Sequence, residues 1–235
     1  MTGMLASVNS LQEAKLALAA EVDIIDLKQP SKGALGALEI DLVKTIVTDI
    51  DRARPVSATI GDLPMQPDSI FNAVDAMVHT GVDYVKIGFF PDGDWPATLQ
   101  KLHSHTDIWQ QQHAGLIAVL FADTQPDLTI LSMLKDSGFV GVMLDTMNKQ
   151  KGSLTQVMAP ITIAQFVNLA RQHQLLCGLA GSLKADDIAK LIPLHPDYLG
   201  FRGALCQQHD RTAQLNQSAV IKIKRAMHPA TLING

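Results

Sequence analysis

Several things are scarce in this chain. Only two cysteines, Cys177 and Cys206, occur in 235 residues, so a disulfide framework is not indicated and a reducing compartment is expected. Aromatic residues make up 5%, and no run of basic residues could lie along a polyanion, which argues against nucleic acid and anionic membrane as partners. The longest wholly apolar stretches, such as 116–122, fall far short of the roughly 20 residues needed to cross a bilayer. The N-terminus reaches its first cation only at Lys15 and lacks the basic region that opens a secretory signal. The cytoplasm is therefore the expected location.

What the chain does have is core-forming material. Hydrophobic residues make up 47% and charged residues 18%, with 19 Lys plus Arg against 23 Asp plus Glu for a net charge of −4. This is the composition of a soluble globular protein. Short β-rich apolar runs at 5–8, 22–28, 55–61, 83–89, 116–122, 140–145, 175–180 and 198–202 alternate with helix-patterned segments. The helices are expected at 11–20, 40–50, 68–80, 96–112, 127–137, 162–172, 184–191 and 218–227, with Gly81 and Gly138 placed as stops. Eight such units leave about 29 residues each, enough for a strand, a helix and two short loops. An α/β fold is expected: one (β/α)8 TIM barrel spanning 1–235, with no length left for a second domain. A doubly wound sheet would want a glycine fingerprint after its first strand, and Ser7-Val8-Asn9-Ser10 contains no glycine.

Alternation within the strands locates the chemistry, because a barrel strand turns one face to the helices and the other to the interior. In Asp23-Ile24-Ile25-Asp26-Leu27-Lys28, the apolar Ile25 and Leu27 suit the helix layer, so Asp26 and Lys28 face inward. The same reading sends Lys86, Arg202, and Met143 with Asp145 to the interior. Several strands thus end with charge aimed at one axis, at the carboxyl face where barrel enzymes place their active sites. Crowding and desolvation disfavour the ammonium form, so one such lysine can attack a carbonyl and form a Schiff base. Asp26 or Asp145 could then move protons, and the remaining cations could hold phosphate or developing negative charge.

The last two units carry a candidate phosphate cradle. Gly181 and Ser182 precede a helix after the seventh strand, and Arg202, Gly203 and Ala204 end the eighth. No metal or cofactor site is expected: His103 and His105 point about 200° apart on a helix, unlike zinc ligands at four-residue spacing. Cys177 and the methionines read as packing.

Six motifs in order resemble the (5-formylfuran-3-yl)methyl phosphate synthases of methanofuran biosynthesis, a lysine-dependent βα-barrel family. They are Ile24-Ile25-Asp26-Leu27-Lys28 with Pro30, Gly33, Leu35 and Gly36; Val56-Ser57-Ala58-Thr59-Ile60-Gly61-Asp62; Asp83-Tyr84-Val85-Lys86-Ile87-Gly88; Met143-Leu144-Asp145-Thr146 with Lys149; Leu179-Ala180-Gly181-Ser182; and Arg202-Gly203-Ala204. The resemblance implies condensation of two glyceraldehyde 3-phosphate molecules, a phosphorylated triose, with loss of phosphate and water. It also implies that Lys28 is the Schiff-base nucleophile and that Lys86, Lys149, Asp26 and Asp145 complete the site. The chain departs from the family pattern after Phe121-Ala122-Asp123-Thr124 and at Met147-Asn148. Other readings compatible with the residues are a Schiff-base aldolase for another phosphorylated aldehyde and a phosphate-ester-binding barrel without turnover. Either monomer or homo-oligomer is compatible with the sequence.

Overall fold

The computed structural model describes residues 1–227; positions 228–235 of the expected 1–235 domain lie outside the described residues. Eight parallel strands form a closed barrel in sequence order: β1 (Gly3–Val8), β2 (Ile24–Leu27), β3 (Val56–Thr59), β4 (Tyr84–Gly88), β5 (Gly115–Phe121), β6 (Gly141–Asp145), β7 (Leu176–Leu179) and β8 (Tyr198–Phe201). The surrounding helices are α1 (Leu11–Ala19), α2 (Ile40–Ile50), α3 (Pro67–Val78), α4 (Trp95–Gln111), α5 (Ile130–Asp136), α6 (Leu154–Val157), α7 (Pro160–Gln172), α8 (Ala185–Leu191) and α9 (Gln217–Met227).

Most boundaries fall within a few residues of expectation, and two differences have local reasons. α5 begins at Ile130 rather than Asp127 because the Asp127 carboxylate accepts from the Thr129 N–H at 2.9 Å, making a turn first. α6 is an additional short helix, held by a reciprocal cap in which the Ser153 N–H donates to Gln156 Oε1 at 2.8 Å.

The two faces of the strands divide as the alternation predicts. Ile25, Leu27, Val85 and Ile87 join the large apolar cluster between barrel and helices. A second, smaller cluster fills the interior, with Leu5, Ile117, Val119, Phe121, Met143 and Tyr198 among its members. Register then sets the polar residues side by side above it. Ser7 pairs with Asp26, Asp26 with Ser57, Thr59 with Lys86, and Phe121 with Asp145.

A repeated device fixes the opposite, amino-terminal end. The aspartate just before each of β2, β4 and β8 accepts from a backbone N–H of the preceding strand. Asp23 takes Met4 at 2.6 Å, Asp83 takes Val56 at 2.7 Å and Asp197 takes Cys177 at 2.7 Å. These bonds satisfy donors where the ladder begins, and a carboxylate acceptor makes each stronger than a neutral bond. Before β6 the corresponding position is Val140. Asp83→Ala is expected to lower stability by about 1–3 kcal/mol, the cost of leaving the buried Val56 N–H unpaired. Chemical denaturation measures this, and an unchanged midpoint would count against the device.

Candidate active site

Five charged side chains converge at the carboxyl end of the barrel. Asp26 on β2 is fully buried: its Oδ2 accepts from Ser7 Oγ at 2.7 Å and its Oδ1 from Ser57 Oγ at 2.7 Å. The remaining partner is Lys86 from β4, whose Nζ lies 2.6 Å from Asp26 Oδ1. Across the barrel, Lys149 Nζ donates to Asp145 Oδ1 and to the Thr146 carbonyl, both at 2.5 Å. Asp145 also accepts from the Thr146 N–H at 2.7 Å. Lys28 stands between the two pairs. It too is buried, but its Nζ reaches Asp145 Oδ2 only at 3.9 Å, and it donates no hydrogen bond among the described residues.

The electrostatics follow from this placement. Burial lowers the pKa of Lys28 and outweighs the attraction of Asp145; together with repulsion from Lys149 and Lys86 it brings the amine down to about 8. Burial pushes Asp145 up, yet Lys149 and Lys28 overcome it and hold the carboxyl down at about 2. Asp26 likewise resists its burial through Lys86 and Lys28 and stays below the usual carboxylate range. Both acids are ionised, and the amine of Lys28 is brought toward neutrality.

The loops bearing these groups share a frame. Asp26-Leu-Lys-Gln-Pro-Ser-Lys-Gly-Ala-Leu35 and Asp145-Thr-Met-Asn-Lys-Gln-Lys-Gly-Ser-Leu154 align without a gap. Each runs from the strand through a 3-10 turn, Pro30–Lys32 or Lys149–Lys151, to a glycine, Gly33 at φ 120°, ψ −163° or Gly152 at φ 117°, ψ −172°. Only glycine adopts that region readily. An aspartate after a neighbouring strand clamps each loop. Asp62 accepts from the Ala34 and Leu35 N–H groups at 2.8 and 2.7 Å, and Asp123 from those of Met147 and Asn148 at 2.7 and 2.9 Å. Lys28 falls two residues after its acid and Lys149 four after its own. Strand alternation could not reach Lys149, which lies beyond β6.

A cavity of about 250 Å³ opens over Lys28, Lys86 and Lys149 and extends to the loops after β7 and β8. Gly181, Ser182, Leu183, Gly203 and Ala204 line it, and their N–H groups have no hydrogen-bond partner among the described residues. Gly181 (φ 103°) and Ser182 (φ 49°) both have positive φ.

Arg202 departs from the expectation of a free phosphate ligand. β8 ends at Phe201 and the chain turns at Arg202 (φ −134°, ψ −69°), so alternation no longer governs its side chain. The guanidinium pairs with Glu13 of α1, Nη1 lying 2.5 Å from Oε2, and donates to the carbonyls of Ser7, Arg211 and Ala213 at 3.1, 2.8 and 2.8 Å. Glu13 also accepts from the N–H groups of Asn9 and Leu215 at 2.9 Å each. No periodicity marks Glu13, and Arg211 sits in an irregular segment, so sequence reasoning missed both. Arg211 lines the cavity.

Comparison with known proteins gives the family of the chain. Residues 4–224 match the model of the family described as 4-HFC-P synthase. The chain belongs to the 4-HFC-P synthase family. It is 30% identical over 229 residues to the (5-formylfuran-3-yl)methyl phosphate synthase of Methanocaldococcus jannaschii, covering 94% of this chain and 97% of that protein. A Methylorubrum extorquens relative bearing the same synthase name is 39% identical over 224 residues, covering 95% and 91%. Among solved structures, 3-keto-L-gulonate-6-phosphate decarboxylase from Vibrio cholerae superposes with a TM-score of 0.67 at 9% identity, covering 96% of this chain and 97% of that one. That likeness shows the barrel alone.

In this 4-HFC-P synthase family member, both cysteines are buried. Burial pushes the Cys177 thiol up to about 12 and the Cys206 thiol up to about 11, so neither supplies a thiolate at neutral pH. No described helix is long and apolar enough to cross a membrane. The Arg202–Glu13 pair is a buried brace, and removing one partner strands a charge. Glu13→Ala is expected to cost about 3–5 kcal/mol, read as a shift in the denaturation midpoint. A loss below about 1 kcal/mol would show that the brace is dispensable.

Proposed function

We propose that the chain is a (5-formylfuran-3-yl)methyl phosphate synthase that joins two molecules of glyceraldehyde 3-phosphate through a Schiff base on Lys28. The observation that carries this reading is the asymmetry among three lysines of one site, Lys28 and Lys86 buried and Lys149 half-buried. Lys86 and Lys149 are each locked against a carboxylate at 2.6 and 2.5 Å, whereas Lys28 has no partner closer than 3.9 Å. An amine that is desolvated, crowded by like charge and free of hydrogen bonds is the nucleophile of the group.

The chemistry follows from the product. Lys28 adds to the aldehyde of the first triose, and loss of water from the carbinolamine gives an imine. Removal of the C2 proton yields an enamine whose electron pair expels phosphate from C3, breaking that C–O bond and leaving C3 conjugated to the iminium. The formyl group and the phosphomethyl group stand at positions 5 and 3 of the furan, so the new carbon–carbon bond joins C3 of the first triose to C2 of the second, which loses the proton next to its aldehyde and attacks C3 with the electron pair left behind. Ring closure with loss of two waters, and hydrolysis of the imine, release the furan and restore the amine. In sum, two trioses give one furan phosphate, one inorganic phosphate and two waters. The ion pairs Asp26–Lys86 and Asp145–Lys149 flank Lys28 and supply the bases and acids. The backbone N–H groups of Gly181, Ser182, Gly203 and Ala204 form a nest that receives a phosphate.

Borohydride added with glyceraldehyde 3-phosphate is expected to leave a covalent adduct on Lys28, found by peptide mass. Lys28→Arg keeps the charge but should abolish the adduct and lower turnover by about three orders of magnitude or more. Normal turnover in that variant would sink the reading. An ordinary aldol product in place of the furan, detected by its mass, would transfer it to a Schiff-base aldolase.

The pH dependence has a definite sign. Only the free amine attacks, and with a pKa near 8 about a tenth of Lys28 is free at pH 7, against a few parts in ten thousand for an ordinary lysine. Adduct formation should climb with pH below 7 and level off above about 8. A rate still rising tenfold per unit at pH 9 would mean that Lys28 is not perturbed.

A further inference from the structure

Arg202 and Arg211 face the same cavity with opposite fates. Arg202 is tied to Glu13 and three carbonyls, whereas Arg211 makes no ion pair among the described residues. Its Nη2 donates to the Gly33 carbonyl at 2.9 Å, and neither Nε nor Nη1 has a partner among them. The guanidinium is half-buried. A partly desolvated cation with donors left over is a site for an anion.

Its position separates two chambers. Arg211 and Lys149 line the inner cavity of about 250 Å³ over Lys28 and also a second, more open one of about 510 Å³. The second chamber lies between the clamped loops after β2 and β6, bordered by Gly33, Asp62, Met147 and Asn148. The inner volume is below the range of about 300–1,000 Å³ usual for larger ligands, which suits one three-carbon phosphate ester with its phosphate in the nest. The groups of opposite charge that line the outer chamber have partners of their own: Asp62 holds the Ala34 and Leu35 N–H groups, and Lys149 is held by Asp145 of the inner cavity. The outer chamber therefore offers the leftover donors of Arg211 as its anion ligand.

We propose that Arg211 binds the phosphate of the second triose in the outer chamber, with Arg202 as the residue that positions it. The positioning is visible in the bonds: Glu13 fixes Arg202, and Arg202 Nε donates to the backbone carbonyl of Arg211 itself at 2.8 Å. The inference rests on the two-triose condensation proposed above and assigns the subsite of its second substrate. That phosphate is the one retained in the product, and it is joined through a single carbon to the C2 that forms the new bond. Anchoring it in the outer chamber presents C2 to the inner triose on Lys28. An extended guanidinium fork suits a phosphate that must be gripped and released in each cycle.

The test separates the two half-reactions in wild type, Arg211→Gln and Arg211→Lys. Capture of glyceraldehyde 3-phosphate on Lys28 by borohydride reports the first triose, and furan formation against triose concentration reports the second. In Arg211→Gln the ratio of furan formation to adduct formation should fall at least tenfold, with a raised apparent KM for furan formation. Arg211→Lys, which keeps a cation, should recover part of the loss. Equal falls in both rates, or an unchanged ratio, overturn the inference while leaving the synthase reading intact. If wild type forms no adduct on Lys28, the synthase reading fails and takes this inference with it.

Discussion

Three amines and two carboxylates crowd the mouth of this barrel, all of them buried but the half-buried Lys149, and two anions can neutralise only two of the three cations. An isolated buried charge costs several kcal/mol even after relaxation, so the distribution of partners decides which group carries the deficit. Asp26 takes Lys86 at 2.6 Å and Asp145 takes Lys149 at 2.5 Å. The unpaired positive charge is left on Lys28, and losing a proton relieves it. In the proposed mechanism the nucleophile is thus selected by a shortage of anions around it. Adding an acid beside Lys28 would stabilise its ammonium form and make it chemically inert.

That arrangement holds only while the carboxylates cannot turn to Lys28 instead. Register prevents it for Asp26, which lies between Ser7 and Ser57 on the two adjoining strands and accepts from both. For Asp145 the restraint is the Thr146 N–H together with Lys149, whose own loop is fastened by Asp123. Strand pairing, loop clamps and the charge pattern of the site are therefore one construction. A slip of one residue in β2 would turn Asp26 from the interior toward the helices.

The barrel and the inward charges were legible because they follow from periodicity. Period-two alternation with Ile25, Leu27, Val85 and Ile87 on the outer face places Asp26, Lys28 and Lys86 inside, and the structure has them there. The method loses its hold where the strand ends. Arg202 is one residue past β8, and its turn sends the side chain to Glu13; Lys149 is four residues past β6 and came only from the family resemblance. Glu13 and Arg211 depend on contacts between segments about 200 residues apart, for which a single sequence carries no local signal. Lys149 did have one unread sign: the loop after β6 repeats that after β2 down to the glycine at the same step.

The net charge of −4 looks at odds with a pocket lined by Lys28, Lys86, Lys149 and Arg211, and the partners of the acids remove the difficulty. Asp23, Asp62, Asp83, Asp123 and Asp197 all accept from backbone N–H groups, as does Glu13 besides its bond to Arg202. Amide donors stabilise a carboxylate without consuming a cation. Six of the 23 acids thereby act as structural pins, at the start of strands and under the loops of the site. An acid used as a pin is held at a fixed place, and none of the six forms an ion pair with Lys28 or Arg211. An excess of acidic residues and a cationic active site are then compatible, because the protein uses its anions to fix the backbone that keeps those cations free.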